Sequence, residues 1–180
     1  MSLHEGLADL IDGLYAKNEE PTHQAANFRD WLRDFYVSAW RITKTLPAHR
    51  WGVDPNAIEW HSYMTPIEQA VWSEIREHGV VMYPQHPVGN YFVDFGHPLA
   101  RIAIECDGKQ FHQDKEKDAA RQREIEAKGW RVYRISGSMC MRQPKASLDD
   151  ESGEEIVELS PAAELVDRLA RQYKLSARYA

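Results

Sequence analysis

Cysteine is nearly absent. The 180-residue chain carries only Cys106 and Cys140. Two thiols make no disulfide framework, so a reducing cytoplasm is the expected compartment. No apolar run approaches the roughly 18 residues that span a bilayer. The opening MSLHEGLADLIDG has early acids and no basic stretch, so no secretory signal is expected. Histidines and cysteines show no paired zinc-ligand spacing, and there is no internal repeat. Positive charge is also scarce: 22 Lys and Arg against 28 Asp and Glu leave a net charge of −6. That excludes a protein that coats nucleic acid through charge alone. It does not exclude one that cuts it, because a metal site needs carboxylates and its ions offset their charge.

The length suits one domain with a helical extension and permits a sizeable core. Residues 3–17 place Leu7, Leu10, Ile11, Leu14 and Tyr15 at helical spacing. A longer helix over 23–45 aligns Phe28, Trp31, Leu32, Phe35, Ala39 and Ile42 in one stripe. Residues 51–63 read as a connection. The first 62 residues thus form a helical extension, which either covers the core or recognises substrate or a protein partner. From residue 63 the pattern changes. Thr65-Pro66-Ile67-Glu68 is a helix start, with Thr65 as N-cap and Glu68 at the third position. Strands are expected at Val80–Tyr83, Tyr91–Phe95 and Arg101–Cys106, a crossover helix at 113–128, and a strand at 130–135. Pro84–Pro87 reads as an irregular link and 144–158 as an exposed acidic loop, before a last helix from Ser160-Pro161. A closing strand–helix–strand step implies a parallel pair. The fold class is therefore α/β, with a mixed central sheet flanked by helices.

Chemistry concentrates in the hairpin Tyr91–His112. Strand alternation puts Tyr91, Val93 and Phe95 on one face and Phe92 and Asp94 on the other. In the second strand Ile102, Ile104 and Cys106 share a face, opposite Ala103, Glu105 and Asp107. A tight turn near Pro98 sets Asp94 across from Ala103, with Glu105 as its diagonal neighbour. Acids beside such apolar residues are costly unless a proton or cation sits between them, and Mg²⁺ favours one or two carboxylates completed by water and phosphate oxygens. The alternative is an exposed face whose acids merely solubilise it. His86 and His97 are expected to be surface or turn residues. Lys109, Lys115, Lys117, Arg121, Arg123, Lys128 and Arg131 make the following stretch the most basic in the chain.

The segments T-P-I-E-Q-A-V-W, Y-F-V-D-F, I-A-I-E-C-D-G-K-Q-F-H and K-D-A-A-R-Q-R-E-I-E-A-K-G-W-R-V-Y-R-I, from Thr65 to Ser136, resemble the PD-(D/E)XK nuclease superfamily. Within it they are similar to the small very-short-patch-repair endonucleases. The resemblance implies a restriction-endonuclease-like core and a Mg²⁺- or Mn²⁺-dependent endonuclease acting on DNA. Asp94 matches the first metal-binding acid and Glu105 the acid of the E-x-K element. Glu68 matches the helix glutamate near the metal, although it is also an ordinary capping residue. Asp107 departs from the pattern: it stands where the superfamily usually has lysine, as commonly happens in the subfamily, and it is expected to bind metal or orient water. Lys109 or His112 is expected to assist proton transfer. Arg121, Lys115 and Lys117 are candidates for phosphate contact, Arg121 alternatively pairing with Asp118 at helical spacing. Two rivals remain open: an inactive nuclease-like binding module, and an RNA-directed hydrolase. Oligomeric state is not legible.

Overall fold

The computed structural model describes residues 25–108, 115–148 and 155–180. The expected helix at 3–17 lies outside these residues, as do Lys109 and His112. The described chain runs α1 (Ala25–Thr43), α2 (Pro66–Glu77), β1 (Tyr83–Val88), β2 (Tyr91–His97), β3 (Ile102–Asp107), α3 (Lys115–Ala127), β4 (Arg131–Ser136), a single turn α4 (Gly137–Cys140), β5 (Lys145–Leu148), β6 (Glu155–Glu158) and α5 (Pro161–Tyr173). The main sheet has the order β1-β2-β3-β4. β1 and β2 pair antiparallel, as do β2 and β3. β3 and β4 pair parallel through the α3 crossover. This is the mixed sheet expected, in an α/β arrangement.

The sheet is covered unequally. On one face α1, α2 and α5 share a single apolar cluster with it, built from Phe28, Trp31, Leu32 and Phe35 of α1, Val71, Trp72 and Ile75 of α2, Phe95, Ile102 and Ile104 of the sheet, and Val166 and Leu169 of α5. Trp72 stacks on Phe95 with ring centroids 6.1 Å apart. The aromatic stripe of α1 therefore covers the core, and this described part of the N-terminal extension does not stand apart from it. On the opposite face α3 contributes Ile125 to a small second cluster with Val88, Val93 and Ala103.

Three expectations about the strands need correction. The first strand is not Val80–Tyr83 but Tyr83–Val88, so the presumed link Pro84–Pro87 is strand. Prolines are tolerated there because β1 is the sheet edge. Val80 makes only an isolated bridge to Ser176. Residues 144–158 are not simply loop, since β5 and β6 pair into a small antiparallel ribbon. Nor are His86 and His97 on the surface; both are buried. His97 braces the hairpin turn: the Ala100 N–H donates to its Nδ1 at 3.1 Å. Its Nε2 therefore carries the proton, directed at the Ala48 carbonyl 2.9 Å away. No helix among the described residues is long and apolar enough to cross a membrane.

Candidate active site

The β2–β3 ladder pairs Phe95 with Ile104, Gly96 with Ala103 and His97 with Ile102. The turn is thus placed differently from expectation, and Ala103 faces Gly96 rather than Asp94. One further step in this register would set Asp94 directly across from Glu105, but the ladder stops there. In its place the Cys106 N–H donates to Asp94 Oδ2 at 2.7 Å. A side chain has replaced a backbone rung, and the Asp94 carboxylate is inserted where the two strands part.

Asp94 is also where β2 changes phase. Tyr91 and Val93 pack toward α3, yet Phe95 joins Phe92 on the side of the main core. Strict alternation would have put Phe95 with Val93. On β1, the pairs Pro84–Phe95 and His86–Val93 leave Gln85 level with Asp94, and Gln85 has φ +47°. A non-glycine residue in the left-handed region costs energy that its surroundings must offset. Both strands are distorted at the same level, and the distortion frees the Asp94 carboxyl from either face. On β3 the expected alternation holds: Ile102, Ile104 and Cys106 enter the main core, and Ala103 faces α3.

Around this point the acids gather. Glu105 is 6% exposed. Arg121 from α3 donates to its Oε1 at 2.8 Å and to the Phe92 carbonyl at 2.8 Å. Arg121 therefore reaches across to β3 instead of pairing with Asp118. Glu68, on the first turn of α2, accepts the Thr65 N–H at 2.6 Å as a capping residue. Its carboxyl also meets Asp94, so its capping role and its place at the site coexist. Burial raises the Asp94 pKa well above the usual carboxylate range, and the charges of Glu105 and Glu68 push it further. Burial likewise raises Glu105, with Arg121 opposing the shift.

Asp107 sits two residues beyond Glu105 with both oxygens engaged: Arg134 of β4 donates to Oδ2 at 2.8 Å and to Oδ1 at 2.6 Å. The parallel register explains this, because it sets Arg134 level with Glu105, on the face that also carries Asp107. Sequence reading missed Arg134. Its signal lay in the alternation of Arg-Val-Tyr-Arg-Ile, but the partner strand and register were needed to see it. Lys117 is exposed on α3, and nothing is described for the Lys115 side chain.

Among the described residues, no three histidines, cysteines or acids converge as a ready-made ion cage. The donor set nevertheless fits a hard cation. Its groups are carboxylate oxygens, Glu105 is buried and Asp94 and Glu68 are half-buried, and their mutual repulsion is what an ion between them would relieve. Two carboxylates with water and phosphate completing the shell suit Mg²⁺ or Mn²⁺. Cys106 instead faces the core, its thiol raised by the neighbouring Cys140 and by burial.

A mixed sheet bearing clustered acids at a parted strand pair defines a restriction-endonuclease-like core. Comparison with known sequences agrees. The family model REase_MTES_1575 matches residues 67–151. The uncharacterised protein YcjD of Escherichia coli (strain K12) is 32% identical over 86 residues, covering 46% of this chain and 74% of that one. An uncharacterised protein of Haemophilus influenzae is 31% identical over 90 residues, covering 47% and 74%. The chain belongs to the restriction-endonuclease-like family REase_MTES_1575. Among solved structures, the catalytic domain of the homing endonuclease I-Bth0305I is similar over 42% of this chain and 79% of its own, at 27% identity and a TM-score of 0.35.

Proposed function

We propose that the protein is a metal-dependent endonuclease that hydrolyses phosphodiester bonds in DNA. The observation that carries this reading is the Asp94 carboxyl, held at a break in the ladder beside two further acids. Asp94 and Glu105 would hold Mg²⁺ or Mn²⁺, with Glu68 at the edge of the site. The ion, when bound, supplies Lewis acidity toward a phosphate and makes water more acidic.

The rest falls to the chain itself. The Cys106 N–H aims Asp94, and Arg121 holds Glu105 while keeping further donors for a phosphate. Arg134 brings a cation beside Glu105, on the strand next to the position where the superfamily pattern has lysine; Asp107 is the residue that fixes it there. Proton transfer to and from water is assigned to His112 or Lys109 on sequence grounds. The choice of DNA rests on the family resemblance.

A second reading, a nuclease-like module that binds without cutting, is favoured by Asp107 in the lysine position. A cleavage panel separates them: supercoiled, single-stranded and mismatched DNA plus RNA, each with Mg²⁺, Mn²⁺ or EDTA. Cutting of DNA that needs the metal, and that is lost in Asp94→Ala and Glu105→Ala, is expected. Undiminished cutting by both variants sinks the mechanism, and tight binding without cutting favours the module.

A further inference from the structure

Helix α1 lies outside the family match and carries two stripes. One is the core stripe already described. Beside it, at helical spacing, run Arg29, Arg33, Tyr36 and Trp40. Contacts confirm that they share a side. The guanidinium carbons of Arg29 and Arg33 lie 5.7 and 4.5 Å from the centre of the Phe92 ring, and Arg33 donates to the Gly89 carbonyl. Tyr36 donates to the Pro84 carbonyl. Phe92 is the residue whose carbonyl binds Arg121, two positions before Asp94. A line of cations thus leads from the candidate active site onto α1.

That line ends in an open groove of about 340 Å³ lined by Tyr36, Trp40, His86, Pro87 and Arg101, among others. Trp40 is 41% exposed, a large apolar surface to leave in water. Below it the His86 ring sits between Tyr36 and Trp130, with centroids 4.8 and 5.4 Å away. His86 is 8% exposed and its buried Nδ1 has no hydrogen-bond partner. The groove therefore combines a ring to stack on and a cation at its wall. A nucleobase has a matching face and an edge rich in donors and acceptors, and the adjoining phosphates suit the arginines. By helix rise, Arg33 and Trp40 are about 10 Å apart along the axis, on the scale of neighbouring nucleotides of an extended strand.

We propose that this groove binds an unpaired base of a DNA strand whose phosphates lie along Arg29 and Arg33. The inference rests on the nuclease reading and adds to it a preference for substrate with single-stranded character. Binding is measured in EDTA by fluorescence anisotropy, with a short labelled single-stranded DNA and the same backbone stripped of its bases. The wild-type chain should bind the base-bearing strand about tenfold more tightly. Trp40→Ala should abolish that difference, Trp40→Phe should keep most of it, and Arg33→Ala should weaken both ligands alike. An unchanged preference in Trp40→Ala, or no binding by the wild type, overturns the proposal. So does a fall in melting temperature in Trp40→Ala with oligonucleotide binding unaltered, because the groove would then seat part of the chain itself. Because no cutting is required, failure of the nuclease reading in the cleavage panel is distinguishable from failure here.

Discussion

Asp94 illustrates how one residue can carry opposed demands. Its burial and acidic neighbours favour the protonated form, while the Cys106 N–H favours the anion. With its folded pKa raised, the native state holds the proton more tightly than the unfolded chain does. Stability from this group is therefore present at low pH and lost as pH rises from the ordinary aspartate range through the raised value. Glu105 shifts in the same direction. His86 acts in the opposite sense: burial lowers its pKa to about 3, so stability is lost as pH falls below the unfolded value of about 6.5. In EDTA, Asp94→Asn should raise the melting temperature at neutral pH and flatten its decline with pH, as read by calorimetry. Divalent metal should stabilise the wild type more at pH 8 than at pH 5. Arg134 invites a different test. Arg134→Ala should reduce metal-dependent cutting at least tenfold by order of magnitude, because it removes a charge and strands Asp107. Adding Asp107→Lys to that variant should restore much of the rate, since it returns a cation to the superfamily's position. If the double variant is as slow as the single one, Arg134 does not stand in for the lysine.

At the scale of elements, legibility followed periodicity. The helices α1, α2 and α5 and the strands β3 and β4 could be read because their apolar residues recur at one fixed spacing. Hairpin register could not, because the length of the turn, Pro98 to Arg101, is not encoded in alternation, and β2 changes phase at Asp94. β1 was missed because two prolines in Tyr-Pro-Gln-His-Pro-Val argue against strand, and only its edge position makes them harmless. The strand acids were legible because carboxylates among apolar strand residues are conspicuous. Arg121 was named as a phosphate candidate, but its pairing with Glu105 and the whole role of Arg134 were not legible, since both arginines arrive from other elements. The β1–β2 contact is tight: a Cβ on Gly96 would meet His86 Cβ at 2.8 Å and Val93 Cγ2 at 3.0 Å. Gly96→Ala should therefore destabilise the fold by about 1–3 kcal/mol in urea denaturation, and an unchanged midpoint would show that the strands part easily there. The β5–β6 ribbon is the contrasting case. Ile156 and Val157 are exposed, and among the described residues β5 and β6 pair only with each other. Replacing both with Thr should leave the melting temperature unchanged.

Taken whole, the molecule has one continuous core on the main sheet face, and α1 is part of it. Family likeness begins at residue 67, close to the boundary at 63 expected from the change of sequence pattern, but the main core takes in α1 as well. A chain truncated to residues 63–180 would expose the face that Leu32 and Phe35 cover, both 1% exposed in the full chain. It should bind a hydrophobic dye, lose near-ultraviolet dichroism and be rapidly proteolysed, while keeping much of its helix and strand signal. A sharp cooperative melt of the fragment would show instead that the cover is dispensable.

This division of labour has an evolutionary side. The acids and their arginines lie on the sheet and on α2 and α3, within the stretch shared with distant relatives, whereas α1 lies outside it. Such an arrangement separates the segment that carries the acids from one of the helices that cover the core. Changes on the outer side of that helix can then alter the surface beside the acids without touching the acids themselves.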